Sequence, residues 1–153
     1  MFNSAAFRRS RSGKILLISD FGAVAAKRPA ALRTSIAPDY TEAVKLARNH
    51  GRISYVTIIP GYDDTKIRKP GFKAERQDGQ SYRVLWEEAV KANPDWVLIT
   101  SWNEWHEGSE IEPSFEEGDN YMQLTGDYAP RFCDSSPARA RRVPAQPSIS
   151  IRG

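Results

Sequence analysis

The sequence lacks the features of proteins that depend on disulfides, on cysteine metal clusters or on membrane-spanning helices. Its single cysteine, Cys133, excludes an intramolecular disulfide and a metal cluster built from several cysteines of the chain. No apolar run approaches the roughly 18 residues of a membrane-spanning helix, and the run at 14–19 is too short for the apolar core of a signal peptide. We therefore predict no membrane span, and no targeting signal is visible in the sequence.

The middle of the sequence also lacks an excess of basic charge. The formal net charge is +3, but residues 1–14 contain four basic and no acidic groups, and residues 134–153 contain four basic groups and one acidic group. Residues 15–133 therefore have more acidic than basic groups, whereas a nucleic-acid groove needs basic charge on the folded surface. We predict no nucleic-acid partner.

The two ends differ from the middle in composition as well as in charge. The Ser, Pro, Arg and Ala residues that follow Phe132 are typical of disorder. We predict a basic N-terminal tail at 1–13, a folded domain at 14–132, and a disordered basic C-terminal tail at 133–153. The 153 residues can form one domain, but they are fewer than the roughly 250 of a complete (β/α)8 barrel.

The middle region alternates between apolar runs and amphipathic segments. Runs of apolar and β-branched residues predict strands at 15–19, 53–59 and 96–100. Apolar residues at helical spacing predict helices from Pro38 to Gly51, from an N-cap at Ser81 to Asn93, and, more weakly, at 120–124. Strands that are almost entirely apolar and alternate with helices indicate an α/β fold, with a parallel sheet covered on both faces.

The most informative residues lie at 102–108, directly after the third predicted strand, in the order Trp-Asn-Glu-Trp-His-Glu-Gly. Two carboxylates, Glu104 and Glu107, lie three residues apart in this motif. A pair of carboxylates can divide acid and base work across a glycosidic bond. The motif therefore predicts carbohydrate chemistry, with two solvated loop acids as the plainer alternative.

Four side chains next to these carboxylates are suited to binding a sugar. Aromatic rings stack on the apolar faces of pyranose rings, which favours Trp102 and Trp105. Asn103 and His106 can form hydrogen bonds with sugar hydroxyls. Packing in the core is an alternative role for both tryptophans, and a structural hydrogen bond is one for His106.

A second polar motif follows the second predicted strand, at 60–68, in the order Pro-Gly-Tyr-Asp-Asp-Thr-Lys-Ile-Arg. The carboxyl ends of parallel strands meet at one edge of a sheet, where α/β proteins bind ligands. We therefore expect Tyr62, Asp63 and Arg68 to lie near the two carboxylates. Asp63 and Asp64 also fit a purely structural role in the turn.

A metal site explains the acidic motif less well. His106, Glu107 and Glu110 are close in sequence, but their spacing differs from the helical His-Glu-x-x-His zinc motif and no second histidine lies nearby. We predict no metal and no cofactor. Glu110 and Glu112 are expected to be structural or exposed, and His50 is expected at the end of a helix, where its charge is favourable.

Together the two motifs resemble glycoside hydrolase family 99, the endo-α-mannosidase and endo-α-mannanase family. The resemblance rests on residues 60–68 and 99–108, with Glu-Ile-Glu following at 110–112, and it covers roughly residues 37–130. Members of the family are (β/α)8 barrels, so the resemblance implies a partial TIM barrel formed by C-terminal strands and helices. The N-terminal half of the barrel is then expected as a missing partner.

The resemblance also implies how the site works. Glu104 resembles the carboxylate that deprotonates the substrate's 2-hydroxyl, so that this oxygen attacks the anomeric carbon and forms a 1,2-anhydro sugar. Glu107 resembles the general acid and later base, while Arg68 and Tyr62 resemble substrate-binding residues. Trp102 occupies a position where some members have phenylalanine. The implied activity is endo-acting cleavage of α-mannosides with retention and without a covalent enzyme intermediate.

Two other functions are compatible with the same residues. Some polysaccharide-assembly proteins contain a similar Asn-Glu-Trp-x-Glu-Gly segment followed by Glu-Pro, as at Glu112, and this favours a glycan-biosynthesis or glycan-binding protein. An inactive truncated remnant is the other alternative, because much of a barrel is absent. The resemblance suggests a cell-envelope or secretory-pathway setting, which no residue of the sequence shows.

Overall fold

A three-stranded parallel sheet lies at the centre of the described part of the chain. The computed structural model describes residues 15–16 and 29–135. In chain order the elements are β1 (Ile15–Leu16), α1 (Pro29–Asn49), β2 (Ile53–Ile58), β3 (Tyr62–Asp63), β4 (Lys73–Ala74), α2 (Gln80–Ala92), β5 (Trp96–Ile99), a 3-10 helix (Trp105–Glu107) and α3 (Asn120–Asp134). The sheet has the strand order β1-β2-β5, and both neighbouring pairs are parallel.

Helices cover one face of this sheet. α1 precedes β2 and α2 precedes β5 in the chain, as expected where parallel neighbours are joined by helical crossovers. Both helices contact β2 and each other. Alternate side chains of β2, namely Ser54, Val56 and Ile58, are buried on this side. The core is completed by residues of the three helices, including Leu32, Ile36, Tyr40, Leu85, Trp86, Tyr121 and Leu124.

The opposite face of the sheet is open in the described residues, which corrects the prediction of cover on both faces. Trp96 is 58% exposed, and Leu98 and Ile53 are exposed on the same side. The strand register places Trp96 beside Tyr55 and Leu98 beside Thr57, so these side chains share a face. In a (β/α)8 barrel this face points to the interior, where side chains of other strands pack.

α1 begins at Pro29 and not at Pro38, the predicted start. Its buried stripe continues toward the N-terminus through Leu32 and Ile36, which precede Tyr40 by two turns and one turn. Pro38 lies on the exposed side of the helix. Water can there bind the carbonyl that proline leaves without a helical partner, so the helix continues through it.

α2 confirms the helix predicted at 81–93, but its start differs. The helix begins at Gln80, and the predicted N-cap Ser81 is buried in the first turn, where its hydroxyl donates to the Glu75 carbonyl (3.4 Å). The residue at the N-cap is Gly79, with a φ of 79°. No side chain caps this helix, and glycine adopts the left-handed φ at residue 79 without steric cost.

α3 is much longer than the helix predicted at 120–124. Its buried residues recur every three or four positions and form one continuous stripe: Tyr121, Leu124, Tyr128 and Phe132. Pro130 lies inside the helix but on its exposed side. Gly126 and Pro130 have low helix propensity, so the local sequence does not predict the second half of this helix. Its stability comes from packing.

The predicted tails lie mostly outside the described residues. The N-terminal tail at 1–13, the rest of the first predicted strand, and residues 136–153 all fall there. α3 extends beyond the predicted domain end at residue 132 and includes Cys133 and Asp134. Among the described helices, none combines the length and the apolar character needed to cross a membrane.

Candidate active site

Both polar motifs start at the same edge of the sheet. β2 ends at Ile58 and β5 ends at Ile99, and these residues are register partners on neighbouring strands. One motif follows each strand, as the sequence predicts. The two loops meet directly, because Nη2 of Arg68 lies 2.7 Å from Oε1 of Glu107.

The first motif is part of a small hairpin, where the sequence predicts a loop. β3 and β4 pair in antiparallel fashion, with Tyr62 opposite Ala74. Between them the Asp64 carbonyl accepts a hydrogen bond from the backbone amide of Arg68 (2.8 Å). This turn brings the Arg68 side chain back to Tyr62.

Asp64 is the buried centre of the hairpin. Its Oδ1 accepts the backbone amide of Phe72 (2.6 Å). Its Oδ2 accepts the Tyr62 hydroxyl (3.0 Å) and Nη1 of Arg68 (2.7 Å). The bond from the Phe72 amide, followed by that from Arg68, lowers the pKa of the Asp64 carboxyl below its usual range. Asp64 is therefore an ionised anchor for two predicted site residues.

Asp63 has local partners instead. Its Oδ1 accepts the hydroxyl (2.6 Å) and the amide (3.1 Å) of Thr65, and its Oδ2 lies 3.5 Å from Nζ of Lys73. These bonds, with the Thr65 hydroxyl first, lower the pKa of Asp63. Asp63 packs closely against Gly108 of the second motif, since a Cβ added to Gly108 would lie 3.3 Å from the Asp63 nitrogen and 3.4 Å from its Cβ.

Arg68 connects the hairpin to the second motif. Its Nη1 donates to both Asp64 and the Tyr62 hydroxyl, while Nη2 donates to Glu107. A planar guanidinium can serve several acceptors in a fixed geometry, and the Asp64 and Glu107 bonds raise the pKa of Arg68. Burial, then the hydrogen bond to Asp64, raise the pKa of Tyr62. Its phenol therefore stays protonated at neutral pH.

The second motif is a hydrogen-bonded turn, called here the carboxylate loop (residues 101–112). The 3-10 helix Trp105–Glu107 ends at Gly108, which has a φ of 55°. The Ser101 hydroxyl accepts the Glu104 amide (2.9 Å) and lies 3.0 Å from the Ser109 hydroxyl. These bonds close the loop, so both carboxylates belong to one short ordered turn.

The two carboxylates have different surroundings. The Glu107 side chain is 27% exposed, and its Oε1 is paired with Arg68. Glu104 is exposed and forms no ion pair with any residue in the described part of the chain. The structure therefore brings Tyr62 and Arg68 to Glu107 and leaves Glu104 open to solvent.

The four predicted sugar-binding side chains of this loop lie at the surface. Trp102 and Trp105 are 49% and 45% exposed, so the alternative of core packing is wrong for both. The indole nitrogen of Trp105 donates to Oε2 of Glu112 (2.9 Å). Asn103 and His106 are exposed on the same turn. All four are accessible to a ligand next to the carboxylates.

Arg76 supports the carboxylate loop, although it belongs to neither motif and the sequence does not predict this role. Its guanidinium donates to the carbonyls of Gly108 (3.1 Å) and Glu110 (3.0 Å) and pairs with the buried Glu110 carboxylate. It also lies over the ring of Tyr121, 4.7 Å from the centroid. The Arg76 side chain leaves no room for a side chain at Gly61, where an added Cβ would lie 2.4 Å from Cγ of Arg76. Glu110 thus has a structural role, as expected.

The acidic and histidine residues near the motifs and at the end of α1 have different partners from one another. The described residues contain no group of three or more His, Cys, Asp or Glu side chains placed to hold a metal ion. Glu107 and Glu110 bond to different arginines, Arg68 and Arg76. His50 lies just after the end of α1, where its Nδ1 is 2.8 Å from the Leu46 carbonyl oxygen.

Comparison with known proteins identifies the family. The sequence profile of glycosyl hydrolase family 99 matches residues 30–136, which include both motif loops. The chain belongs to this family. The match agrees with the resemblance that the motifs at 60–68 and 99–108 indicate.

Curated relatives are longer proteins. The chain is 33% identical over 89 residues to a glycoprotein endo-alpha-1,2-mannosidase-like protein of Danio rerio and 38% identical over 76 residues to the glycoprotein endo-alpha-1,2-mannosidase of Xenopus laevis. These matches cover 48% of the chain and 20% and 17% of the relatives. The mouse endo-alpha-1,2-mannosidase is 44% identical over 58 residues, which are 37% of the chain and 13% of the relative. The chain thus spans a fifth or less of these relatives.

A solved family 99 structure has the same local fold. It is an endo-alpha-mannosidase from Bacteroides thetaiotaomicron in complex with BIS-TRIS-propane, with a TM-score of 0.62 and 26% identity. The match covers 66% of this chain and 37% of that chain. A second structure from this bacterium, at 23% identity and a TM-score of 0.61, supports the fold alone. The chain therefore has the predicted α/β fold of part of a (β/α)8 barrel.

Proposed function

We propose that the protein is a glycoside hydrolase that acts on α-mannoside-containing glycans. The observation that supports this most directly is the 2.7 Å contact between Arg68 and Glu107, because it joins the two motif loops in one site. Similarity to proteins named endo-alpha-1,2-mannosidase and endo-alpha-mannosidase supports the substrate class. The reaction proposed below needs carboxylates and water and uses no metal or cofactor.

The two carboxylates are proposed to divide the proton transfers. Glu104 is exposed and has no ion pair among the described residues, so it is available to take a proton from the substrate's 2-hydroxyl. Glu107 uses Oε1 for the bond with Arg68. Its Oε2 is then available to give a proton to the leaving oxygen and, in the second step, to take one from water.

The proposed reaction is endo-acting and retaining. When Glu104 removes the 2-hydroxyl proton, the 2-oxygen attacks the anomeric carbon, and the bond to the leaving oxygen breaks as Glu107 protonates that oxygen. Glu107 then deprotonates a water that opens the 1,2-anhydro sugar at the anomeric carbon, and the 2-oxygen regains its proton from Glu104. The two inversions at the anomeric carbon give net retention without a bond between carbohydrate and enzyme.

The exposed side chains around the carboxylates are proposed to bind the glycan. The tryptophans can stack on sugar rings, and the polar groups can bind hydroxyls. The arginine and the tyrosine of the hairpin lie beside Glu107, where they can contact the sugar at the cleaved bond. The proposed binding residues are Tyr62, Arg68, Trp102, Asn103, Trp105 and His106.

Product analysis tests the proposed function. The protein is incubated with an α-1,2-linked mannose oligosaccharide, and products are identified by mass spectrometry. We expect internal cleavage by the wild type, near-complete loss in Glu107→Gln, and no loss in the control Glu116→Gln, which removes an exposed carboxylate of the next loop. Binding without cleavage by the wild type would favour a glycan-binding protein and contradict the hydrolase.

The participation of the 2-hydroxyl has a separate test. A substrate without this hydroxyl cannot form the anhydro sugar, whereas a carboxylate nucleophile would still form its bond to carbon. We expect no turnover of a 2-deoxy substrate with a good leaving group and no glycosyl adduct on Glu104 by mass spectrometry. A trapped adduct, or comparable cleavage of the 2-deoxy substrate, would refute participation.

A further inference from the structure

Glu112 contacts both exposed tryptophans of the carboxylate loop. Its backbone amide donates to the Trp102 carbonyl (2.9 Å). Its side-chain Oε2 accepts the indole N–H of Trp105, also at 2.9 Å. Glu112 therefore lies against the turn that contains Glu104 and Glu107 and is bonded to a residue on each side of Glu104.

The bond between Trp105 and Glu112 joins well-matched groups. An indole N–H can only donate, and an ionised carboxylate can only accept. Hydrogen bonds to a charged acceptor are roughly twice as strong as those between neutral groups. Within the described residues the Glu112 carboxylate forms no ion pair, so the indole is not in competition with a cation there.

The orientation of a half-exposed tryptophan ring matters for sugar binding. Trp105 is 45% exposed, so packing alone restricts its ring little. Stacking requires one ring face to meet the apolar face of a pyranose. A ring that must be immobilised when the ligand binds weakens affinity by roughly twofold to tenfold relative to a ring already held in place.

We propose that Glu112 is a positioning residue that holds the indole of Trp105 in place for stacking on an α-mannose ring. This inference rests on the proposed function and extends it to a residue for which the motifs predict only a structural or exposed place. Glu112 acts through Trp105 and does not touch the reacting atoms. Glutamine at 112 keeps an acceptor oxygen, whereas leucine does not.

The first readout is spectroscopic and independent of activity. The indole N–H resonance of Trp105, assigned by its loss in Trp105→Phe, is followed in proton–nitrogen NMR spectra. We expect it to move toward the position of a solvent-exposed indole in Glu112→Leu and to move less in Glu112→Gln. Glu116→Leu is the matched control, because it removes a nearby exposed carboxylate and should leave the resonance unchanged. Glu112→Ala replaces the leucine variant if that variant does not fold.

The second readout is affinity for α-1,2-linked mannotriose, measured by calorimetry with Glu107→Gln present in every protein compared, the wild-type reference included, so that the ligand is not cleaved during the titration. We expect Glu112→Leu to bind roughly twofold to tenfold more weakly than the wild type, with Glu112→Gln and Glu116→Leu close to the wild type. In a Trp105→Ala background, Glu112→Leu should cause no further loss, because the two residues act as one unit.

The outcomes separate the two proposals. An unchanged indole resonance and unchanged affinity in Glu112→Leu would overturn the positioning role and leave the proposed function intact. A loss of equal size in the Trp105→Ala background would also overturn it, because Glu112 would then act by another route. A wild-type protein that neither binds nor cleaves mannotriose would overturn the proposed function, and the inference with it.

Discussion

The two motif loops start from the same edge of the sheet but are built in opposite ways. The hairpin of β3 and β4 closes around a buried, ionised Asp64 that binds Tyr62 and Arg68. The carboxylate loop keeps Glu104 and its tryptophans at the surface. Under the proposed mechanism, the hairpin holds the site in place and the carboxylate loop provides the two reacting groups. Changes in the hairpin should therefore act through position and stability, and changes at the two carboxylates of the carboxylate loop should act on the chemical step.

The largest expected effect is that of Glu104→Gln. Glutamine cannot take a proton, so we predict a fall in kcat/KM of about 10²- to 10⁴-fold on an unactivated glycan. The side chain is exposed and has no ion pair in the described residues, so the melting temperature should be unchanged. Steady-state kinetics and thermal melting check this. Near-normal turnover would show that Glu104 is not the base.

The contact between the two loops is tested by Arg68→Met, for which we expect the second largest fall in kcat/KM. Removal of the guanidinium releases Glu107 from the hairpin, and displacement of a catalytic group by about 1 Å can lower the rate roughly 10²-fold. Arg68→Lys keeps the charge but cannot serve both loops in the same geometry, so we predict an intermediate kcat/KM. Equal activity of wild type and Arg68→Met would mean that the contact has no role in catalysis.

Several elements of the fold, and the contact between the two loops, can be predicted from the sequence. Apolar spacing predicts α2 and the strands β2 and β5 closely, because each pattern is short and uninterrupted. The meeting of Arg68 with Glu107 follows from topology, since both motifs leave neighbouring parallel strands. These features depend on local pattern and on general rules for parallel sheets.

The remaining features depend on three-dimensional contacts. Asp63 and Asp64 look equivalent in sequence, and the hairpin register alone makes one of them buried and central. Arg76 reaches the carboxylate loop from a segment that contains no recognisable motif. The sequence predicts only parts of α1 and α3, because proline at Pro38 favours a helix start there and because the packing that stabilises α3 beyond Leu124 is not visible in the sequence.

The support of the hairpin is tested by Asp64→Asn, for which we predict a loss of kcat/KM of about tenfold. Asparagine can still accept hydrogen bonds but cannot pair with the charge of Arg68. Because the pKa of Asp64 is lowered in the folded protein, its contribution to stability is present above the unfolded pKa of about 3.9 and is lost as pH falls through the folded pKa.

The difference in melting temperature between wild type and Asp64→Asn should therefore be full near neutral pH and shrink below about pH 4. Thermal melts from pH 7 to about pH 2.5 measure this difference. A difference that grows as pH falls would contradict the assignment of Asp64 as an ionised anchor.

The smallest effect is expected for Asp63→Asn, the matched neighbour. The Asp63 carboxylate bonds to Thr65 and Lys73 within the hairpin and to no residue of the carboxylate loop in the described part of the chain. We predict a kcat/KM within about twofold of the wild type, as for surface changes in general. A loss as large as that of Asp64→Asn would remove the distinction between the two aspartates.

The proposed roles of the two carboxylates are most directly tested by changing the leaving group of the substrate. The initial release of leaving group is measured for Glu104→Gln and Glu107→Gln with a glycan and with a dinitrophenyl α-mannoside. A dinitrophenolate leaves without a proton, so we predict that Glu107→Gln recovers at least about tenfold on the activated substrate, whereas Glu104→Gln stays slow on both. Equal losses for both variants on both substrates, or selective recovery of Glu104→Gln, would contradict the proposed division between Glu104 as base and Glu107 as acid.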